Sequence, residues 1–208
     1  MRKLRLFSLL LVVSAAAFTL TSCLGDSDDN NKLTPQQTQQ CFRVVQGSHH
    51  GKLIYFVSNS SSGAPAKKDS VSTSWTITSD STMTLIRIPA KVIATAVDTT
   101  TAEHKEIRDA ILKQPDQSME CYIGFVKMSP IQWLINPTGL TYEVAVKGGN
   151  HKIQVVFYMN NTYSFGQFTT STNSMLLQII AAGAKIDGSI DKSSTPLVKS
   201  TPFYFVNK

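Results

Sequence analysis

Glu120 and Glu143 both fall on stretches whose alternation reads as strand. A facing pair of carboxyl groups about 5 to 9 Å apart is what hydrolysis of a glycosidic bond requires. Nothing in their chain positions brings these two together, and an exposed strand carboxylate ordinarily solvates a face. The four histidines offer less. His49 and His50 are adjacent, so their side chains diverge, and no cysteine or acidic cluster flanks them as metal ligands would. His104 lies among charged residues at a helix start and His151 opens a strand. Residues 47–52 read GSHHGK, one residue short of a phosphate-binding loop, with Leu53 where a hydroxyl would hold magnesium. Asp26, Asp28 and Asp29 lack the glycine and closing glutamate of a calcium loop, because Asn31 and Gln37 stand at those positions. G-x-S-x-G, H-E-x-x-H and G-x-G-x-x-G are all missing. The residues therefore name no catalytic group, no metal ligand and no cofactor, and a non-enzymatic role is expected.

Rings are the other candidates. Trp75 shares its strand face with Ile77, and Trp133 shares its face with Ile131 and Ile135, so both indoles read as core. Tyr158, Tyr163, Phe165 and Phe168 are set among Asn160, Asn161, Thr162, Ser164, Gln167 and Thr169. Such a segment is either a ligand-binding rim, since Tyr and Phe supply rigid contact area, or a loop turning its rings into the core. The core reading is favoured, so no binding residue is assigned.

The elements that would position these groups are mostly strands. Thr34, Pro35 and Gln37 form a capping box that opens a helix ending near Gly47. A second helix is expected from Thr101 to Lys113, with Ile107, Ala110 and Ile111 on one face and Pro115 beyond its end. His49-His50 reads as a glycine-bounded turn. Strands are expected at residues 53–57, 74–78, 83–88, 120–128, 131–135 and 203–206, with a loop over residues 59–66. Tyr142, Val144 and Val146 alternate toward Gly148-Gly149-Asn150, and Ile153, Val155 and Phe157 answer on return, which is a hairpin. Met175 to Ala184 is continuously apolar and suits a buried strand or helix, with strand preferred before the Asp187-Gly188 turn. The fold class is mainly β (α+β): an antiparallel barrel or a two-sheet sandwich with two short helices.

Composition bounds the class. The chain has 208 residues, 42% of them hydrophobic, enough to bury a core. Its formal charge of +6 falls when Arg2, Lys3 and Arg5 are set aside, leaving 17 basic against 14 acidic residues. Because the remaining bases are scattered rather than clustered, no nucleic-acid partner is expected. Cys41 and Cys121 either form a disulfide closing a loop of about 80 residues or are two buried thiols.

Arg2, Lys3 and Arg5 precede an apolar run from Leu6 to Phe18, which is shorter than the roughly 20 residues a membrane span needs. Leu20-Thr21-Ser22-Cys23 then resembles the lipobox of bacterial lipoproteins. That resemblance implies cleavage before Cys23, a diacylglyceryl thioether on its sulfur and an acylated (palmitate-type) N-terminus. The expected organisation is a signal peptide over 1–22, an acidic tether over 23–32 and one β-rich domain over 33–208. The tether, LGDSDDNNK from Leu24, resembles the export signal that follows the lipidated cysteine in surface lipoproteins of the Bacteroidetes. The resemblance implies an outer-membrane protein facing the cell exterior. Asp69-Ser70-Val71, Asp80-Ser81-Thr82 and Asp98-Thr99-Thr100 resemble the O-glycosylation triplet of that group, making Ser70, Ser81 and Thr99 acceptor candidates. With Cys-Tyr-Ile-Gly-Phe at 121–125 and Asn-Asn-Thr-Tyr-Ser-Phe-Gly at 160–166, the chain is similar to small Bacteroidetes surface lipoproteins of domain-of-unknown-function families. The expected role is a binding or accessory module for a glycan, a peptide or a partner envelope protein, held to the membrane by its lipid. An extracellular hydrolase and a structural or adhesive subunit are the alternatives.

Overall fold

The computed structural model describes residues 32–57, 67–146, 148–159 and 163–207. The expected signal peptide, Cys23 and nearly all of the expected tether lie outside them, as do the expected loop at 59–66 and Asn160 to Thr162.

Helix α1 (Pro35–Val45) starts where its sequence dictates. The Thr34 hydroxyl accepts from the Gln37 amide at 3.2 Å, and Gln37 Oε1 accepts from the Thr34 amide at 2.8 Å, so two orphan donors are satisfied reciprocally. Its buried face is narrow, Cys41 and Val45. The predicted turn at His49-His50 is instead the beginning of strand β1 (Gly47–Val57), which continues into β2 (Lys67–Ile77) and β3 (Thr82–Ile88). A four-residue helix, α2 (Ala90–Ile93), and a 3₁₀ turn (Ala94–Ala96) follow, both too short to leave a helical period in the sequence. Thr101 caps α3 (Ala102–Ile111) through the His104 amide at 3.1 Å.

The second half is strand: β4 (Gln117–Met128), β5 (Ile131–Pro137), β6 (Leu140–Val146), β7 (Gly149–Phe157), β8 (Phe165–Thr169), β9 (Ser174–Ile186), β10 (Ser189–Ile190) and β11 (Thr201–Val206). All pairings are antiparallel. Strands β11-β1-β2-β3-β4-β5-β8-β9 close into an eight-stranded barrel through the β9–β11 pairing. The barrel alternative is therefore the correct one, with three short α-helices rather than two among the described residues. Strand β9 outruns the barrel: its first half pairs β8 and β11, and its second half carries the β6–β7 hairpin and β10. Leu33 to Lys208 forms one compact unit.

One inward layer can be traced around seven strands as Phe125, Trp133, Gly166, Leu177, Phe205, Leu53 and Val71. Trp75 and Trp133 are fully buried, as expected. Trp75 stands edge-on to Phe205 at 6.2 Å and stacks with His49 at 5.9 Å, so His49 is a packing residue at the barrel end. Gly51 is required on β1, because a Cβ there would lie 2.0 Å from the Val206 carbonyl oxygen.

The strap from Asp191 to Lys199, which delivers β11 to the barrel, is clasped by Asp98. The Asp98 amide donates to the Leu197 carbonyl at 2.7 Å, and its buried carboxylate accepts from the Lys199 ammonium and from the Thr100 hydroxyl and amide. The Lys199 bond, followed by those from Thr100, holds the carboxyl far below the ordinary carboxylate range. A depressed folded pKa contributes stability that is complete above the unfolded value of about 4 and is lost as pH falls below it. Asp98→Asn should cost about 1.5 kcal/mol near pH 7, since the exposed Lys199 resolvates. Lys199→Met should cost about 3 kcal/mol, because it leaves the buried carboxylate without its cation. Urea midpoints measured from pH 7 to 2.5 should fall less steeply for Asp98→Asn than for the wild type.

Candidate binding face

Cys41 and Cys121 are both free, which overturns the disulfide. Cys41 Sγ lies 3.9 Å from the Lys127 carbonyl oxygen, six residues along β4 from Cys121. That is about 20 Å of strand, against roughly 6 Å between the Cα atoms of a disulfide. Burial raises both thiols, that of Cys121 to about 12, so neither supplies a thiolate nucleophile at neutral pH.

The carboxylate pair also dissolves. Glu120 is exposed opposite Thr84, and Glu143 is exposed opposite Lys152 on a strand that does not pair with β4. His151 bonds Asp187 at 2.9 Å at the surface, and His104 Nδ1 lies 3.6 Å from Asp98 beside the clasp. Among the described residues no three His, Cys, Asp or Glu side chains group as metal ligands. Ser70 and Ser81 are exposed on β2 and in the β2–β3 turn, whereas Thr99 is half-buried beside the engaged Asp98. A depression of 350 Å³ beside α2 and α3 is lined by Pro89, Lys91, Leu112 and Asp116, and one of 220 Å³ by Lys152, Lys185 and Gly188. Neither is lined by an aromatic ring.

The rings divide between inside and outside. Phe168 faces inward, across from Ile131 and Met175, and is core. Phe165 is 5% exposed yet lies on the outer surface of the barrel, opposite Leu134 on one side and Gln178 on the other. Tyr163 is 42% exposed and packs against the half-buried Tyr158 with ring centres 4.6 Å apart. The segment is thus neither wholly rim nor wholly core. Residues 165–169 are also strand β8 rather than loop.

Tracing the outward positions through the register reveals what surrounds the tyrosine pair. One row runs Ile54, Tyr204, Gln178, Phe165, Leu134 across β1, β11, β9, β8 and β5. In the neighbouring row Val206, Leu176, Gln167 and Gln132 follow one another. Tyr204 meets Phe56 edge-on at 6.5 Å, and its burial raises its hydroxyl pKa. Gln178 thus sits on β9 between two ring pairs, Phe56–Tyr204 on one side and Tyr158–Tyr163 on the other. Its amide donates to the Tyr163 carbonyl at 3.4 Å, which ties the floor to one wall. Lys68 lies over the Phe56 ring at the rim. No outward position of β8, β9 as far as Ala182, or β11 carries a charge. Sequence reading raised Tyr158 and Tyr163 as candidates while favouring a core role, and did not raise Phe56, Gln178 or Tyr204, which only barrel closure brings beside them.

No curated protein and no solved structure matches the chain. A family pattern does, over residues 44–186, from the last turn of α1 to the end of β9. By that match, which covers more than half of its length, the chain belongs to DUF4840, a family of domains of unknown function.

Proposed function

We propose that this protein is a lipid-anchored lipoprotein of the outer membrane, facing the cell exterior, that works as a binding module through the outer face of its barrel. The anchor is the acylated Cys23, followed by the acidic tether. The observation that carries the binding role is the pair of aromatic walls on either side of Gln178. Contiguous apolar surface rimmed by polar groups marks interaction sites, and Phe56, Tyr204, Tyr158 and Tyr163 supply such a surface on the outside of the barrel.

The test is position-specific. A photo-crosslinking side chain replacing Gln178 in the full-length lipoprotein, on intact cells, should give a discrete higher-mass adduct. The same side chain at Ser72, an exposed outward position on β2, should give little. Equal yields at both positions, or no adduct at 178, would remove the face as the binding surface.

A further inference from the structure

We infer that the ligand of this face is a neutral saccharide chain lying along β9 between the two ring pairs, an inference that rests on the face being the binding surface. Tyr204 on β11 and Tyr163 beside β8 stand on either side of β9, two strand spacings or about 10 Å apart. That width takes one extended chain laid along the strand. A barrel surface is straight along its strands and curves away across them, so the long direction of the site follows β9, over Leu176, Gln178 and Ile180.

The chemistry of the floor and walls selects among extended chains. A peptide recognised by strand addition needs an open sheet edge, and β9 here is paired on both sides by β8 and β11. An anionic polymer needs cations along its whole length, and here they stand only at the β1 side, Lys68 over Phe56 and Lys52 opposite Val206, while the outward positions of β8, β11 and β9 as far as Ala182 hold none. A neutral saccharide needs rings for its C–H faces and groups that both donate and accept for its hydroxyls, which carboxamides do. Gln178 and Gln167 provide two. Gln132 Nε2 donates to Gln167 Oε1 at 2.7 Å, while Gln132 Oε1, in a side chain only 3% exposed, has no donor among the described residues. Gln132 Oε1 is sealed from solvent on β5, beyond β8, so the carboxamides within a ligand's reach are those of Gln178 and Gln167.

Native gel electrophoresis of the full-length protein in detergent, through gels containing dextran, yeast mannan or xyloglucan, tests this, with alginate as the anionic comparison. At least one neutral polymer should retard the protein and alginate should not. Tyr204→Ala, Tyr163→Ala and Gln178→Leu should each weaken retardation about fivefold to tenfold, with melting still cooperative. Retardation by none of the neutral polymers, stronger retardation by alginate, or indifference to all three variants would overturn the inference. An adduct to a protein at position 178 together with no retardation would sink the saccharide and leave the binding face standing. No adduct and no retardation would sink both.

Discussion

Gly166→Val should unfold the barrel or cost at least about 4 kcal/mol, an effect reserved for severe core disruption. Strand propensity alone predicts the opposite sign, since valine suits a strand and glycine weakens one. The steric argument outweighs it. Gly166 faces Trp133 across the β5–β8 pairing, and a Cβ built on it would lie 2.1 Å from Trp133 Cε2, with two further indole atoms at 2.4 Å. The ring is itself fully buried and packs against Phe125 at 5.7 Å, so it has no empty space to enter. Gly166→Ala should cost about 3 kcal/mol. Adding Trp133→Phe to Gly166→Ala should recover part of that loss, because a smaller ring vacates some of the contested volume. Guanidinium midpoints of the single and double variants measure the coupling; additive losses would show that the glycine is needed for some other reason.

Cys23→Ala should abolish incorporation of labelled fatty acid altogether and leave either uncleaved precursor or a released soluble form. The magnitude follows from the proposed anchor: at about 0.8 kcal/mol per buried CH₂, two or more acyl chains would hold where a single chain binds only marginally. Metabolic labelling followed by fractionation reads the outcome directly, and label retained in the variant would remove the basis for the localisation. Replacing Asp28 and Asp29 with Ala should separately reduce access of added protease on intact cells, which distinguishes an export signal from a spacer.

The fold was legible wherever local chemistry is repeated by the packing. Both long helices begin at their capping threonines, and the 142–157 hairpin turns at its glycines because alternation and turn residues agree there. The reading of Met175 to Ala184 as strand holds for the same reason: it lies within β9, paired on both sides. Strand β8 was illegible because one of its inward positions is Gly166, whose place in the core is filled from the opposite strand by Trp133. A strand that borrows its hydrophobe from a neighbour reads as a polar loop. The proposed binding face was half legible. Tyr158 and Tyr163 are close in sequence, but Phe56 and Tyr204 are 148 positions apart and meet only through the β1–β11 pairing. A separate replacement of Phe165 illustrates the difference: buried on the outer surface, it should cost stability when cut to Ala, whereas Tyr163→Ala should not.

The decisive measurement is adduct yield from a crosslinking side chain at position 178 when Tyr163→Ala and Tyr204→Ala are introduced together. The paired rings as walls of the site predict that yield falls at least about tenfold while the protein still melts cooperatively. An unchanged yield would contradict the binding face.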